Sequence, residues 1–440
     1  MGSLSNAYKL TASEVVAEIK AGTLSVEEYA LALLTRVEER DSQVQAWAYL
    51  DREYVLKQAR DLDKVPMHER GPLHGVAVGV KDVIYTKDMP TQHNSPIYEG
   101  SAPQVDAGSV MILRKAGALI FGKTTTTEFA AVTKGPKTRN PHDPSRTPGG
   151  SSSGSGAAVG DMQVPIGLGT QTGGSTIRPG SFNGIYAMKP TWNSITREGQ
   201  KIYSLILDTL GLYARSIDDL QLLAKVFGLR DDQSPSAQFT IKGAKFGFMK
   251  TTSWESAGPG TKASMAKAKA LLVANHAEVE DVEMPEDLND LLKWHETVLY
   301  TDGRPAFLPE YRVAGEKLSG FLKGHVENVH QYSHFEQLKA FDSIAAARPR
   351  VDELLARYAA VITPSVPDEA PLGIEGTGSA IFNCIWTALH TPVVNIPGFK
   401  GEHGMPIGLS LVAPRYRDEY LLAVCKNVGE IFEKEGGWRQ

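Results

Sequence analysis

Two serine clusters flanked by glycine lie on either side of one short apolar segment, and this arrangement constrains the chain more than any other feature. The clusters read PGGSSSGSG at 148–156 and GTQTGGS at 169–175. Flexible linkers are also rich in glycine and serine, but they do not alternate with strand-like apolar segments. Because glycine has no Cβ, backbone N–H groups can crowd around a hydroxyl and hold an oxyanion. The clusters therefore predict a nucleophile site for acyl transfer.

A lysine upstream is the candidate base. Residues 75–80 read GVAVGV, which predicts a buried strand that ends at Lys81. A serine hydroxyl is a weak nucleophile at neutral pH and needs an adjacent base. Lysine has an ordinary pKa of about 10.4, so it serves as a base only if burial or a neighbouring cation keeps it neutral. The apolar run before Lys81 predicts that burial.

Several motifs occur in the order typical of one enzyme family. They are the lysine strand at 71–83, Gly122-Lys123-Thr124 with Glu128-Phe129-Ala130, and the glycine- and serine-rich stretch at 148–191. LDTLG at 207–211, PVVNIP at 392–397 and PIGL at 406–409 follow. With these motifs the chain resembles the amidase signature family of serine hydrolases over most of its length.

The resemblance implies a catalytic set. Ser175 matches the family's nucleophile, Ser151 matches a bridging serine that follows a cis peptide, and Lys81 matches the base. It also implies that the oxyanion is held by the backbone N–H groups of Thr172, Gly173, Gly174 and Ser175.

Two positions depart from the family pattern. Gln171 stands where many members carry aspartate, and Arg178 lies three residues after Ser175 where many members place an arginine two after. Pro179 keeps its spacing, so we interpret the shift as a subgroup variant. The departures concern the surroundings of the nucleophile and not the nucleophile itself.

Two other motifs match the sequence, but the residues around them do not have the structure that each motif requires. Residues 117–124 fit the phosphate-loop pattern, but 118–121 are strand-like and 109–116 look helical, whereas a phosphate loop needs its strand before the first glycine. Residues 150–154 fit a nucleophile elbow around Ser152, but the preceding NPHDPSRTP contains three prolines and cannot be the required strand.

Histidines give no metal or cofactor prediction. His330 and His334 are spaced to share a helical face, with His325 nearby, but the segment lacks the glutamate of a zinc-protease helix. A solvated helix face is the favoured interpretation. His93 lies in a turn-rich loop, where it either lines a pocket or is exposed. We expect no metal and no cofactor.

The order of elements predicts an α/β fold with a mixed, largely parallel central sheet covered by helices on both faces. We expect one domain over residues 1–440, with N-terminal helices at 10–62 that begin at the caps Thr11 and Ser25. The signature core follows at 72–228, a variable helical pocket region at 250–358, and C-terminal strands and a helix at 360–440.

Composition narrows the partners. The net charge of −5 and the lack of a basic stripe argue against a nucleic-acid partner. The sequence has no window of eighteen consecutive apolar residues, so we expect no membrane-spanning helix. Cys384 and Cys425 are the two cysteines, which favours a reducing compartment and a cytoplasmic protein. Self-association into a homodimer stays open.

The expected reaction is attack by Ser175 on an acyl carbon, loss of an amine, and hydrolysis of the acyl-enzyme. An amide is the first choice of substrate, and a carbamate or an ester shares the same tetrahedral chemistry. Two alternatives stay open: an acyltransferase that passes the acyl group to an amine, and the amidase subunit of a glutamine-dependent amidotransferase complex.

Overall fold

The computed structural model describes residues 4–232 and 239–439. Its N-terminal layer consists of three helices, α1 (Ala12–Ala21), α2 (Val26–Val44) and α3 (Arg52–Asp63). Thr11 and Ser25 cap the first two of them, each within a capping box, so both predicted caps are confirmed. Helix α3 packs against the central sheet.

In the described part of the chain, eleven strands form one sheet. In chain order they are β1 (Trp47–Tyr49), β2 (Ala77–Lys81), β3 (Leu119–Thr124), β4 (Ile166–Gln171), β5 (Tyr186–Lys189), β6 (Thr209–Ala214), β7 (Lys245–Met249), β8 (Glu278–Val282), β9 (Ala360–Pro364), β10 (Val393–Lys400) and β11 (Pro406–Val412). Their order across the sheet is β1-β3-β2-β4-β6-β5-β10-β11-β9-β7-β8. The Gly-Lys-Thr motif lies inside β3 and not in a loop, which agrees with the rejection of a phosphate loop.

The sheet is mixed, as predicted, but parallel pairs are the minority. Strand β2 pairs in parallel with β3 and β4, and β7 pairs in parallel with β8 and β9. The other six pairs are antiparallel. The order of strands and helices predicted a largely parallel sheet, but β6 inserts between β4 and β5 and runs antiparallel to both.

Eleven further helices are described. They are α4 (Gly108–Lys115), α5 (Ser153–Gly160), α6 (Ile177–Phe182), α7 (Ile217–Val226), α8 (Pro259–Ala274), α9 (Leu291–Ala306), α10 (Leu308–Ala314), α11 (Gly320–Glu327), α12 (His334–Leu355), α13 (Cys384–Ala388) and α14 (Asp418–Glu435). Helix α5 packs on β4, α6 on β10 and β11, and α14 on β10. Within the described ranges, no helix combines the length and the apolarity that a membrane span requires.

The sequence predicted a helical region over 250–358, but this region also contains a strand. Strand β8 lies within it and extends the sheet beside β7, with α8 connecting the two. Most residues of β8 are exposed or half-buried, so the strand lacks the apolar run by which the buried strands were recognised. After β8, the helical part is limited to α9–α12.

Candidate active site

Lys81 ends β2 inside the protein, with no exposed surface. Its Nζ lies 2.8 Å from Ser151 Oγ, 2.9 Å from Ser152 Oγ and 2.7 Å from Thr170 Oγ1. The parallel register of β2 and β4 explains the third contact, because Val80 lies opposite Leu168, and Lys81 and Thr170 follow these residues by one and two positions. The amine is therefore surrounded by three neutral hydroxyls, which we name the Lys81 cluster.

Burial sets the protonation of this amine. It lowers the pKa of Lys81 well below the ordinary value, while Asp208 opposes the shift and Arg178 adds to it. None of the three hydroxyls carries a negative charge that would stabilise the protonated, ammonium form of Lys81. A neutral amine at this position can accept a proton from a neighbouring hydroxyl.

The segment that carries Ser151 is held in place by Arg178. The Gly150–Ser151 peptide is cis, as the family resemblance implies. A guanidinium nitrogen of Arg178 donates to the Gly150 carbonyl at 2.5 Å and to Thr377 Oγ1 at 3.2 Å. Burial lowers the pKa of Arg178 to about 10, so it keeps its charge at neutral pH. The displaced arginine thus ties the start of α6, next to Ser175, to the Ser151 segment.

The turn at 172–175 has all four of its carbonyl groups satisfied by the protein. They accept hydrogen bonds at 2.7–3.1 Å from the following donors, in the order of the carbonyls: His295 Nε2, Thr387 Oγ1, the Arg178 N–H and the Tyr213 hydroxyl. The backbone N–H groups of Thr172, Gly173, Gly174 and Ser175 have no acceptor among the described residues. The turn therefore offers a row of free donors, which is the arrangement an oxyanion hole needs.

Gln171 explains why aspartate is not required at its position. Its Oε1 accepts from the N–H groups of Thr176 at 2.9 Å and Ile177 at 3.0 Å, as a carboxylate would. Its Nε2 also donates to Thr387 Oγ1 at 3.0 Å, and that hydroxyl in turn reaches the Gly173 carbonyl. The amide therefore holds both ends of the turn without placing a negative charge beside it.

A buried carboxylate anchors the first residue of the turn. Asp208 accepts from Thr172 Oγ1 at 2.6 Å and from the Tyr203 N–H at 2.7 Å. Burial raises the pKa of Asp208 to about 6, although these hydrogen bonds favour its ionised form. Thr172 is also contacted from α9, because the His295 imidazole donates a hydrogen bond to the Thr172 carbonyl. Burial would lower the pKa of His295, but the contacts with Cys384 and Thr172 outweigh it and raise the pKa.

The predicted site residues fall into two groups. Lys81 and Ser151 are in direct contact. Ser175 is half-buried, and its hydroxyl has no hydrogen bond within the described part of the chain. The sequence interpretation missed Ser152 and Thr170 beside Lys81, although both are hydroxyl residues within the two serine clusters. It also missed His295, Tyr213 and Thr387, which come from distant segments with no local signal.

Among the described residues, the histidines singled out in the sequence form no hydrogen bond with the Lys81 cluster or with the turn at 172–175. His93 is buried, stacks on Phe129 with ring centroids 5.6 Å apart, and has its pKa lowered to about 3 by burial. His330 and His334 do not share a helical face, because α11 ends at Glu327 and α12 begins at His334. His325 bonds the Tyr203 hydroxyl at 2.6 Å. These are packing roles.

Comparisons with known proteins agree on one relationship. The family model described as Amidase matches residues 28–422, which include Lys81, Ser151 and Ser175. A glutamyl-tRNA(Gln) amidotransferase subunit from Lysinibacillus sphaericus is 35% identical over 295 residues, covering 63% of this chain and 61% of that protein. The chain thus aligns with about three fifths of that relative's length.

Two longer matches extend the relationship. The corresponding protein of Streptomyces avermitilis is 34% identical over 491 aligned positions, covering 98% of this chain and 97% of that protein. A solved structure described as an amidase has a TM-score of 0.85 at 27% identity, covering 96% of this chain and 99% of the other. The mixed eleven-stranded α/β fold is therefore shared with that structure.

Proposed function

We propose a mechanism for this chain, which belongs to the amidase family and is a hydrolase acting on carbon–nitrogen bonds. Its substrate is a small carboxylic amide, or a carbamate or ester with the same tetrahedral chemistry. Ser175 is the nucleophile, Ser151 is the bridge and Lys81 is the base. No cofactor enters the reaction.

The proton path runs through two hydroxyl steps. Ser175 Oγ attacks the acyl carbon and gives its proton to Ser151, which passes its own proton to Lys81 Nζ across 2.8 Å. The same path then returns a proton from Lys81 to the leaving nitrogen, and the C–N bond breaks. Ser152 and Thr170 hold the amine in line, and the neutral form favoured by burial makes it able to accept the proton.

The negative charge that develops on the acyl oxygen is held by the turn at 172–175. Its carbonyls are tied back to the protein, so its N–H groups are fixed and need no reorganisation when the charge appears. Water then attacks the acyl-enzyme along the same proton path and releases the acid. Helix α9 carries His295 against this turn, and we expect it to form part of the wall of the acyl pocket together with the helices that follow it.

The observation that carries the proposal is the buried contact between Lys81 Nζ and Ser151 Oγ, with no carboxylate of the described residues within hydrogen-bond distance of the amine. The test is mass spectrometry of the protein quenched during turnover of a panel of aliphatic amides, aryl amides, carbamates and esters. We expect the acyl group on Ser175. Ser175→Ala should abolish turnover and the adduct.

Ser155→Ala is the matched control, because this serine belongs to the same cluster but bonds the Leu168 carbonyl and not Lys81. It should retain the adduct. An acyl group found on Ser152, or full activity of Ser175→Ala, would refute the assignment of the nucleophile.

A second candidate is favoured by the named relatives, which are amidotransferase subunits. In that case the chain would release ammonia from glutamine for a partner, and the purified chain alone would be inactive towards the amide panel. A third outcome is acyl transfer, in which added amine diverts the acyl group from water. Product analysis of the purified chain, with and without added amine, separates the three.

A further inference from the structure

Tyr213 lies beneath the nucleophile segment, on β6, and has no exposed surface. Its hydroxyl donates to the backbone carbonyl of Ser175 at 3.1 Å. That carbonyl belongs to the peptide group between Ser175 and Thr176. The N–H of the same peptide group donates to Gln171 Oε1 at 2.9 Å. One planar peptide unit, immediately after Ser175, is thus held at its oxygen and at its nitrogen.

The two anchors have a geometric consequence for Ser175. A peptide unit is rigid, so fixing its plane fixes the rotation about the Cα–C bond of the residue before it. This rotation orients the Cα atom of Ser175 and the Cβ and Oγ atoms that it carries relative to the turn. A serine nucleophile must approach within reacting distance at a defined angle, and a small misplacement costs rate.

The ring of Tyr213 is seated by a glycine in the neighbouring strand. A Cβ at Gly169 would lie 2.7 Å from a ring carbon of Tyr213 and 2.8 Å from Ser152 Oγ, so no larger residue fits there. Gly169 is therefore the point where the Tyr213 ring and the Ser152 hydroxyl meet. Ser152 in turn contacts Lys81 Nζ at 2.9 Å. Tyr213 thus lies between the segment of the nucleophile and the cluster of the base.

We infer that Tyr213 is a positioning residue: its hydroxyl fixes the peptide after Ser175 and so aims the nucleophile towards the bridge and base. The inference rests on the proposed role of Ser175. Tyr213 takes no part in the proposed proton path, which runs through Ser175, Ser151 and Lys81. Burial raises the pKa of the Tyr213 hydroxyl, so the hydroxyl stays protonated and keeps donating over the working pH range.

The test is Tyr213→Phe, which removes the hydroxyl and keeps the ring that fills the space over Gly169. Two quantities are measured: kcat and KM on an accepted amide, and the rate at which a fluorophosphonate labels Ser175. We expect kcat and the labelling rate to fall about 10-fold, the effect of one lost buried hydrogen bond, and KM to change less than about 2-fold. A loss confined to stability, with both rates unchanged, would overturn the inference.

Tyr186→Phe is the matched control. Tyr186 is a buried tyrosine on the neighbouring β5, and its hydroxyl contacts Glu433 on α14. This variant should keep both rates within about 2-fold of the parent, while losing stability comparably. Equal rate losses in the two variants would reduce Tyr213 to a structural residue and overturn the inference. If Tyr213→Phe is insoluble, Tyr213→Met replaces it, since methionine adapts to irregular buried spaces.

The labelling readout separates this inference from the proposed function. If the parent protein is not labelled at Ser175, the role of Ser175 fails whatever Tyr213 does. If the parent is labelled at Ser175 and Tyr213→Phe is labelled equally fast, the role of Ser175 stands and the inference about Tyr213 fails alone.

Discussion

Two buried lysines occupy neighbouring parallel strands and have different surroundings. Lys81 on β2 lies among three hydroxyls, in the Lys81 cluster. Lys123 on β3 lies 3.2 Å from the Asp82 carboxylate, 3.3 Å from the Pro90 carbonyl and close to Thr91 Oγ1. Neither side chain is exposed. Because the two lysines are equally buried, the difference in their roles follows from the groups that contact them.

The pKa directions follow from these partners. Burial lowers the pKa of Lys123 to about 8, and Asp82 opposes that shift by direct contact. Burial lowers the pKa of Lys81 well below the ordinary value, and its chief opposing charge, Asp208, is not in contact with it. Lys123 therefore forms an ion pair that attaches the loop at 90–92 to the end of β2. Lys81 is available for proton transfer.

The largest expected effect is on activity. Lys81→Met should lower kcat/KM by roughly 10²–10⁴-fold, the contribution of a positioned general base, while the protein stays folded. Lys123→Met, assayed per folded molecule, should lose far less. Steady-state kinetics with circular dichroism on both variants checks this. Comparable losses in the two would remove the distinction between the lysines.

The next effect is on stability, and it reverses the order of the two lysines. Lys123→Met leaves the Asp82 carboxylate buried without its partner, so unfolding free energy should fall by about 3–5 kcal/mol. Lys81→Met removes an amine that has no charged partner in contact, so its cost should be smaller. Urea denaturation measures both.

A second substitution sharpens this comparison. Adding Asp82→Asn to Lys123→Met removes the stranded charge and keeps an acceptor for the Gln92 N–H, so part of the lost stability should return. If the double variant is no more stable than Lys123→Met alone, the ion pair is not what stabilises this loop.

The pH dependence of activity should also separate the two regions. Activity should rise with pH as Lys81 loses its proton and then level off, because only the neutral amine accepts a proton. Lys123→Met should keep the same rising limb. A limb that moves with Lys123→Met, or that persists in the residual activity of Lys81→Met, would assign the titration to another group.

The smallest effect, taken per pH unit, is on the pH dependence of stability. The folded state lowers the pKa of Lys81, so between that pKa and 10.5 the unfolded chain binds more protons and stability rises with pH. Lys81→Met should lack this contribution, which is at most about 1.4 kcal/mol per pH unit. Urea denaturation at several pH values below 10.5 measures the difference. If the unfolding free energies of parent and variant change with pH in parallel, the pKa of Lys81 is not shifted by folding.

The sequence predicted those parts of the molecule that depend on local pattern. The caps at Thr11 and Ser25, the buried strand before Lys81 and the strand character of 118–121 all follow from residue spacing. Strand β8 was missed because an edge strand with a polar sequence has no apolar run. The antiparallel insertion of β6 was missed because pairing between distant strands leaves no local trace.

The site divides in the same way. Lys81, Ser151 and Ser175 were predicted from the buried strand before Lys81, the glycine-flanked serine clusters and the family resemblance, and the structure places Lys81 against Ser151. The supports of the turn could not be identified in this way. Thr387 and His295 reach it from segments more than 100 residues away, and nothing in their own neighbourhoods marks them.

The most direct test of the account is a double-mutant cycle on Lys81 and Ser151. If the two residues form one proton path, Lys81→Ala and Ser151→Ala should each remove most of kcat, and the double variant should be little slower than Lys81→Ala alone. Single-turnover rates on one accepted amide measure all four proteins. Fully additive losses in the double variant would mean that the proton travels by another route and that Lys81 is not the base.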